Sequence, residues 1–154
     1  MGITSNPSIS DLINKHSPGH QLYPSDVKER ANVDRCLYFE AGTLYPAQAA
    51  AFYLIFRGGS IDQEKAKVFE EKLAILNTTL EGKKYVAGGN NKTIADLSLI
   101  ASLTAAECFP GVDLSKYPNI HSWYKNLRAE LPYDKELNDD VVKEFKANVI
   151  ASMK

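Results

Sequence analysis

Apolar side chains recur every three or four residues along most of this chain, and this spacing places them on one face of an α-helix. No segment shows the strict alternation that is typical of a half-buried β-strand. The pattern therefore predicts an all-α protein, a bundle of six or seven helices. The most regular stripe consists of Ala66, Phe69, Leu73, Leu76 and Leu80.

The longest helical pattern begins near Asp26 and ends at Arg57-Gly58-Gly59. Gly42 and Pro46 interrupt it, but the apolar spacing resumes in phase after them. Proline removes one backbone donor, so we expect the helix to bend near Gly42 and not to stop there.

Two later helices begin at predicted capping boxes. In the first, Ser60 is the cap and Gln63 stands at the third helical position. In the second, the Thr93 hydroxyl can accept from the backbone N–H of Asp96, and the Asp96 carboxylate can reach back to the N–H of Thr93. The helix after Thr93 is apolar on most sides, so we expect it to be buried and to end near Cys108.

The remaining helices are predicted from proline positions and apolar spacing. Pro118 occupies a first helical position, where its missing N–H costs nothing. Its helix has a core face of Ile120, Trp123, Tyr124, Leu127 and Leu131. A last helix is expected from about 138 to 151, with Val141, Val142, Phe145 and Val149 pointing inward. A short helical segment is also expected at 8–16.

Composition narrows the class of protein. The chain has 154 residues, of which 44% are hydrophobic and 24% are charged, with a net charge of −1, as in an ordinary soluble globular protein. Acidic and basic residues are mixed along the chain and form no basic patch. We therefore expect neither a nucleic acid nor a membrane as a partner. No targeting segment or bilayer-length apolar run is recognised, so a cytoplasmic location is expected. Cys36 and Cys108 are predicted to be buried, reduced thiols.

The residues alone predict neither a metal site nor a catalytic constellation. His16 and His20 have ligand-like spacing, but Pro18-Gly19 between them breaks any helix that would align them. No glycine-rich phosphate loop is present. Neither cysteine has a base nearby in the sequence, so no catalytic residue is assigned.

Several motifs occur in a fixed order and together resemble one known domain. The most specific are Tyr85-Val86-Ala87-Gly88 and Thr93-Ile94-Ala95-Asp96. From Leu22 to about Leu137 the chain resembles the helical C-terminal domain of insect glutathione S-transferases of the delta and epsilon classes. The other matching stretches are 33–46, 69–80, 117–124 and 131–133.

The resemblance implies a division of the chain. Residues 22–154 are interpreted as a C-terminal-like helical domain, and residues 1–21 as an N-terminal segment, the remnant of the last helix of a thioredoxin-like domain. Family members carry that domain before the helices, and its hydroxyl donor stabilises the glutathione thiolate. The βαβ pattern of such a domain is absent from this sequence. The chain is therefore expected to be inactive alone and to have no cofactor, with glutathione as co-substrate where a thioredoxin-like domain is supplied.

The resemblance also implies a substrate site. By position, the hydrophobic wall of the family would be formed here by Tyr45, Gln48, Ala49, Phe52 and Phe145. The alternative is that these side chains belong to the core or to a dimer interface.

Two functions follow from the resemblance. The first is conjugation of glutathione to hydrophobic electrophiles in detoxification, with this chain carrying only the hydrophobic-substrate half of the site. The alternative is a non-catalytic module of the same fold that binds ligands or proteins. Loss of a packed neighbouring domain would expose apolar surface, so the expected partners are a hydrophobic small molecule and a second protein chain, in a homodimer or a heterodimer with a full-length relative.

Overall fold

The computed structural model describes the backbone of residues 22–131 and 134–153, and the side chains of residues 22–131 and 140–153. Every regular element in these residues is helical, which confirms the all-α prediction. The helix expected at 8–16 and the assignment of residues 1–21 lie outside the described residues. The α-helices are α1 (Val27–Phe39), α2 (Tyr45–Phe52), α3 (Gln63–Thr79), α4 (Ile94–Ala106), α5 (Pro118–Glu130) and α6 (Asp134–Ser152).

The long helical path of α1 and α2 continues through Gly42, as predicted. It begins at Asp26, whose side chain accepts from the N–H groups of Lys28 and Glu29 at 3.0 and 2.9 Å. A π-helical turn, Glu40–Leu44, joins α1 to α2, and the Tyr45 N–H bonds the Glu40 carbonyl across it. A wider turn of this kind is a local insertion into a helix, and the periodic pattern alone does not specify it.

Glycine ends this helical path at the predicted place. A 3-10 turn, Tyr53–Arg57, follows α2 and stops at Gly58, which has a left-handed φ of 73°. The Gly58 N–H donates to the Ile55 carbonyl at 3.1 Å, and the Gly59 N–H donates to the Leu54 carbonyl at 2.9 Å. A Cβ at Gly59 would lie 3.0 Å from the Leu54 oxygen, so the chain reverses closely against the helix end.

The cap of α3 corrects one prediction. The helix begins at Gln63, and the Asp62 carboxylate accepts from the Lys65 N–H at 3.1 Å, so the predicted Ser60 cap is wrong by two residues. The Asp62 N–H donates to the Ala51 carbonyl at 3.1 Å, which fixes Asp62 in an extended conformation directly before the helix. Its side chain therefore reaches the free N–H groups of the first turn.

The core is centred on α4. Leu99, Leu103 and Ala106 of this helix are fully buried, with α1 and α5 packed beside them. On α5 four residues of the predicted core face are buried, Ile120, Trp123, Tyr124 and Leu127, whereas Leu131 follows the end of the helix and is partly buried. Cys36 and Cys108 are both free and buried, as predicted.

The last helix departs from its predicted start, and one of its four predicted inward residues is exposed. It begins at Asp134, four residues before the expected position 138. Val149 is buried and Phe145 is partly buried, but Val141 is 63% exposed, so the inward placement of Val141 was wrong. Successive helical residues lie about 100° apart, so Val142 is about 20° from Val149, whereas Val141 is about 80° from Val149 and stands at the edge of the inward face. None of the described helices is long and apolar enough to cross a bilayer.

Candidate functional site

An apolar groove of about 430 Å³ lies between α4 and α6, and we refer to it as the α4–α6 groove. It exists because α4 is apolar on two faces. One face forms the core, and the described chain leaves the other open. A groove of this size and lining suits a small hydrophobic molecule. Its walls are Leu97, Ile100, Ala101, Thr104, Ala105, Cys108, Leu131, Val141, Val142 and Phe145.

The polar atoms on the groove wall are already engaged. The Thr104 hydroxyl and the Tyr124 hydroxyl are hydrogen-bonded at 2.9 Å, and burial raises the pKa of Tyr124 to about 12. The Cys108 thiol contacts the Thr104 carbonyl at 3.5 Å, and burial raises the pKa of this thiol. The phenol and the thiol therefore stay protonated near neutral pH, and the wall offers a ligand apolar contact instead of an anionic nucleophile.

Five phenylalanines form a connected cluster at one end of the groove. Phe52 stacks on Phe109 with centroids 4.5 Å apart, and Phe145 packs edge-on against Phe109 at 6.0 Å. Phe56 contacts both Phe109 and Phe145 at 6.0 and 5.9 Å. Phe69 completes the cluster by an edge contact with Phe52 at 5.8 Å. Aromatic pairs in these arrangements add stability beyond the area they bury, so the cluster ties α6 to α2 and α3.

The structure places the five residues of the expected substrate wall in different environments. Phe145 lines the groove, and Phe52 lies behind it in the phenylalanine cluster, where it is buried. Tyr45 is 54% exposed on α2 and Ala49 is partly exposed. Gln48 is 4% exposed, and its side-chain oxygen has no hydrogen-bond partner among the described residues. Phe52 and Phe145 thus come together through Phe109, whereas Tyr45, Gln48 and Ala49 do not line this groove.

Sequence reasoning missed Phe56, Phe109 and most of the α4 wall. Phe56 follows Phe52 by four residues, a spacing that places both side chains on the same side of a helix and could have indicated Phe56. Phe109 lies in the turn after α4, where no periodicity applies. The sequence predicts that α4 is buried on most sides, but it does not show which apolar face stays open.

Asp96 has a structural position beside this site. The predicted capping box is present at the start of α4, and the Asp96 carboxylate accepts from the Thr93 N–H at 2.8 Å. The same fully buried carboxylate accepts from the Thr93 hydroxyl at 3.0 Å, the Val86 N–H at 2.8 Å and the Trp123 indole N–H at 3.0 Å. It therefore fixes the start of α4 to the preceding loop and to α5.

A second carboxylate fixes α4 from the other side. Glu40, in the π-helical turn, accepts from the hydroxyls of Ser98 and Ser102 at 3.2 and 2.5 Å. This contact sets the position of the turn against the helix that forms the groove wall. Among the described residues, no group of three histidine, cysteine or carboxylate side chains is arranged to hold a metal ion.

The chain is similar in sequence to known proteins of one family. Residues 47–130 match the family model described as the glutathione S-transferase C-terminal domain. Glutathione S-transferase D7 of Drosophila melanogaster is 43% identical over 123 residues, which are 79% of this chain and 54% of that protein. The chain therefore spans about half of the length of this curated relative.

Solved structures give the same result at the level of the fold. A delta-class glutathione transferase of Nilaparvata lugens superposes with a TM-score of 0.82 at 36% identity, and covers 92% of this chain and 67% of that one. An epsilon-class glutathione S-transferase from the housefly, Musca domestica, superposes with a TM-score of 0.79 at 32% identity, over 92% of this chain and 66% of that one.

Proposed function

Because this chain belongs to the glutathione S-transferase family, we propose that its α4–α6 groove binds the hydrophobic electrophile to which such an enzyme transfers glutathione. The observation that carries the proposal is the groove itself, an open cleft of about 430 Å³ with nearly continuous apolar walls. Burial of apolar ligand surface against such walls supplies the binding free energy, since it removes about 25 cal/mol per Å² of unfavourable contact with water.

The proposal gives each part of the site a role. Phe145 contacts the electrophile, and Phe52 supports that wall from behind through Phe109. Tyr45, Gln48 and Ala49 lie on α2 outside the groove, so they are given no contact with the electrophile there. The roles of Phe145 and Phe52 are supported by the aromatic contacts at the groove end.

The proposed chemistry needs a thiolate that these helices do not supply. Glutathione carries a thiol whose pKa is near 8.5 when free, so a donor must stabilise the anion at neutral pH. The Thr104 and Tyr124 hydroxyls at the groove are hydrogen-bonded to each other, so they are not available to donate to a thiolate. We therefore assign thiolate formation to a thioredoxin-like domain, and orientation of the electrophile to this chain. The setting is a cytoplasmic detoxification reaction carried out by a dimer.

Ligand competition tests the groove. In the full chain, chlorodinitrobenzene should displace the apolar dye anilinonaphthalene sulfonate, whose fluorescence reports binding. Ala101→Trp should weaken dye binding about tenfold or more, because an indole on the wall takes up space that the dye needs. Ala74→Trp introduces the same side chain at an exposed position of α3 and should bind dye as the wild type does. Equal dye affinity in the Ala101→Trp protein, with its helical circular dichroism intact, would exclude this groove.

Turnover measurements test whether thiolate formation requires a thioredoxin-like domain. The chain mixed with glutathione and chlorodinitrobenzene should form product at the rate of buffer alone. Addition of a thioredoxin-like domain from a delta-class family member should produce conjugation, and Ala101→Trp should lower kcat/KM in that mixture. Acceleration by the chain alone would show that it stabilises the thiolate itself.

A further inference from the structure

We propose that this protein has a second binding site, for one neutral monocyclic aromatic molecule, between α3 and the loop that follows α4. This site, called here the α3 pocket, does not depend on the function proposed for the groove. It is a cavity of about 130 Å³ whose floor is formed by the rings of Phe52 and Phe69.

The size and floor of the α3 pocket match a single ring. An engineered cavity of about 150 Å³ with aliphatic and aromatic walls binds benzene in another protein. The rings of Phe52 and Phe69 stand at 86° to each other with centroids 5.8 Å apart, so a third ring can pack edge-to-face against one of them. Ile61, Ala66 and Val112 complete the apolar lining.

The walls are held in place without a ligand. The Tyr117 hydroxyl donates to the Glu70 carbonyl at 3.3 Å and so joins the loop to α3. Gly111 has a φ of 90°, which lets the chain turn back over the pocket after α4. A preformed cavity loses little conformational entropy when it is filled.

Charged residues at the opening of the α3 pocket affect which ligands can bind. Glu70, Asp113 and Lys116 are exposed around the opening. Asp113 accepts from the N–H and hydroxyl of Ser115 at 3.0 and 2.6 Å, and these bonds lower the pKa of Asp113, which keeps it ionised at neutral pH. An aromatic acid would meet two carboxylates and one ammonium group, so a neutral ring is preferred to an aromatic acid.

The α3 pocket is separate from the α4–α6 groove. The two cavities share no lining residue. The stacked rings of Phe52 and Phe109 stand between them, with Phe145 on the groove side. Binding in one cavity can therefore be measured while the other is blocked.

Titration with fluorobenzene, followed by methyl NMR of the full chain, tests the proposal. Saturable shifts of the Ile61 and Val112 methyl signals are expected, because both side chains line the α3 pocket. These shifts should persist in the Ala101→Trp protein, in which an indole obstructs the groove. If the two signals do not move, or move without saturation, the site does not exist.

Substitution inside the pocket gives the second measurement. Ala66→Leu should weaken fluorobenzene binding in the Ala101→Trp background by about tenfold or more, since the added atoms occupy the cavity. Ala74→Leu, on an exposed part of the same helix, is the matched control and should leave the affinity unchanged. Methyl shifts that survive Ala66→Leu would overturn the assignment, and tighter binding of benzoate than of fluorobenzene would overturn the neutral ligand class.

Discussion

At the scale of single residues, Asp96 shows how a buried charge can order a helical domain. Its carboxylate is fully buried and accepts four hydrogen bonds, from Val86, Trp123 and both donors of Thr93. A buried anion is tolerated when donors replace its hydration in this way. The loop before α4, the start of α4 and the middle of α5 therefore depend on one side chain.

Asp96→Asn should lower the free energy of unfolding by about 3 kcal/mol. The amide has one acceptor oxygen, and its NH₂ group would face backbone or indole donors that then lose their partner. Urea denaturation measures the change. Asp62→Asn is the control, because asparagine caps a helix as well as aspartate does, and it should leave the urea midpoint nearly unchanged. Equal midpoints for the two variants would contradict the role assigned to Asp96.

Tyr124 gives a prediction about pH. Burial raises its pKa from 10.0 to about 12, so the folded state keeps a proton that the unfolded chain loses over this range. The stability that it contributes is complete below pH 10 and falls as the pH rises towards about 12.

Tyr124→Phe should therefore cost about 1 kcal/mol at neutral pH, through the lost bond to Thr104, and should flatten the fall in stability at high pH. Urea midpoints measured at neutral pH and in steps above pH 10 test both effects. Tyr38→Phe, at an exposed position, should follow the wild-type curve. If the urea midpoint falls with pH equally in the wild type and in Tyr124→Phe, ionisation of Tyr124 does not cause the loss of stability at high pH.

At the scale of elements, two glycines of the long helical path should respond in opposite ways to the same substitution. Gly42 has a negative φ, and a Cβ there would meet nothing within 4 Å, so Gly42→Ala should stabilise the protein by about 0.5 kcal/mol. Gly58 has a φ of 73°, so Gly58→Ala should cost about 1 kcal/mol. Thermal unfolding compares the two, and a destabilised Gly42→Ala protein would mean that the π-helical turn requires glycine.

Helix positions were predictable because local chemistry sets them. The Thr93 cap, the proline at 118 and the glycines after Arg57 act within one turn of the chain. The predictions failed where a distant contact decided the outcome. Asp62 replaced Ser60 as a cap because its N–H is bound to the Ala51 carbonyl, a contact that no local pattern reveals.

At the scale of the whole molecule, the candidate site could be predicted only in part. Phe52 and Phe145 were chosen from a family resemblance, and the structure joins them through Phe109. Neither the open face of α4 nor the Glu40 contact to Ser102 follows from spacing along the chain, since both depend on how helices remote in sequence pack together. Helical periodicity finds the face of a helix that is apolar, but tertiary packing decides which apolar face stays open.

Assembly is the prediction that belongs to this scale. Val68 and Ile75 lie seven residues apart on α3, so they share one face, and they are 42% and 48% exposed. This pair of side chains and the α4–α6 groove are two separate places where apolar side chains are exposed, and the expected dimer would bury one of them. The face of α3 is the better candidate, because the exposed side of a helix can pack against its own copy about a twofold axis, whereas the groove is concave.

Light scattering after size exclusion should therefore give at least a dimer for the wild type, and Ile75→Lys should shift it to a monomer at the same concentration. Ala101→Lys places the same charge at the groove and should leave the dimer intact while it weakens dye binding. The opposite result, a monomer only with Ala101→Lys, would mean that the groove is occupied by a second copy of the chain. In that case its apolar walls would serve assembly, and the substrate site would have to be sought on the exposed side of Tyr45.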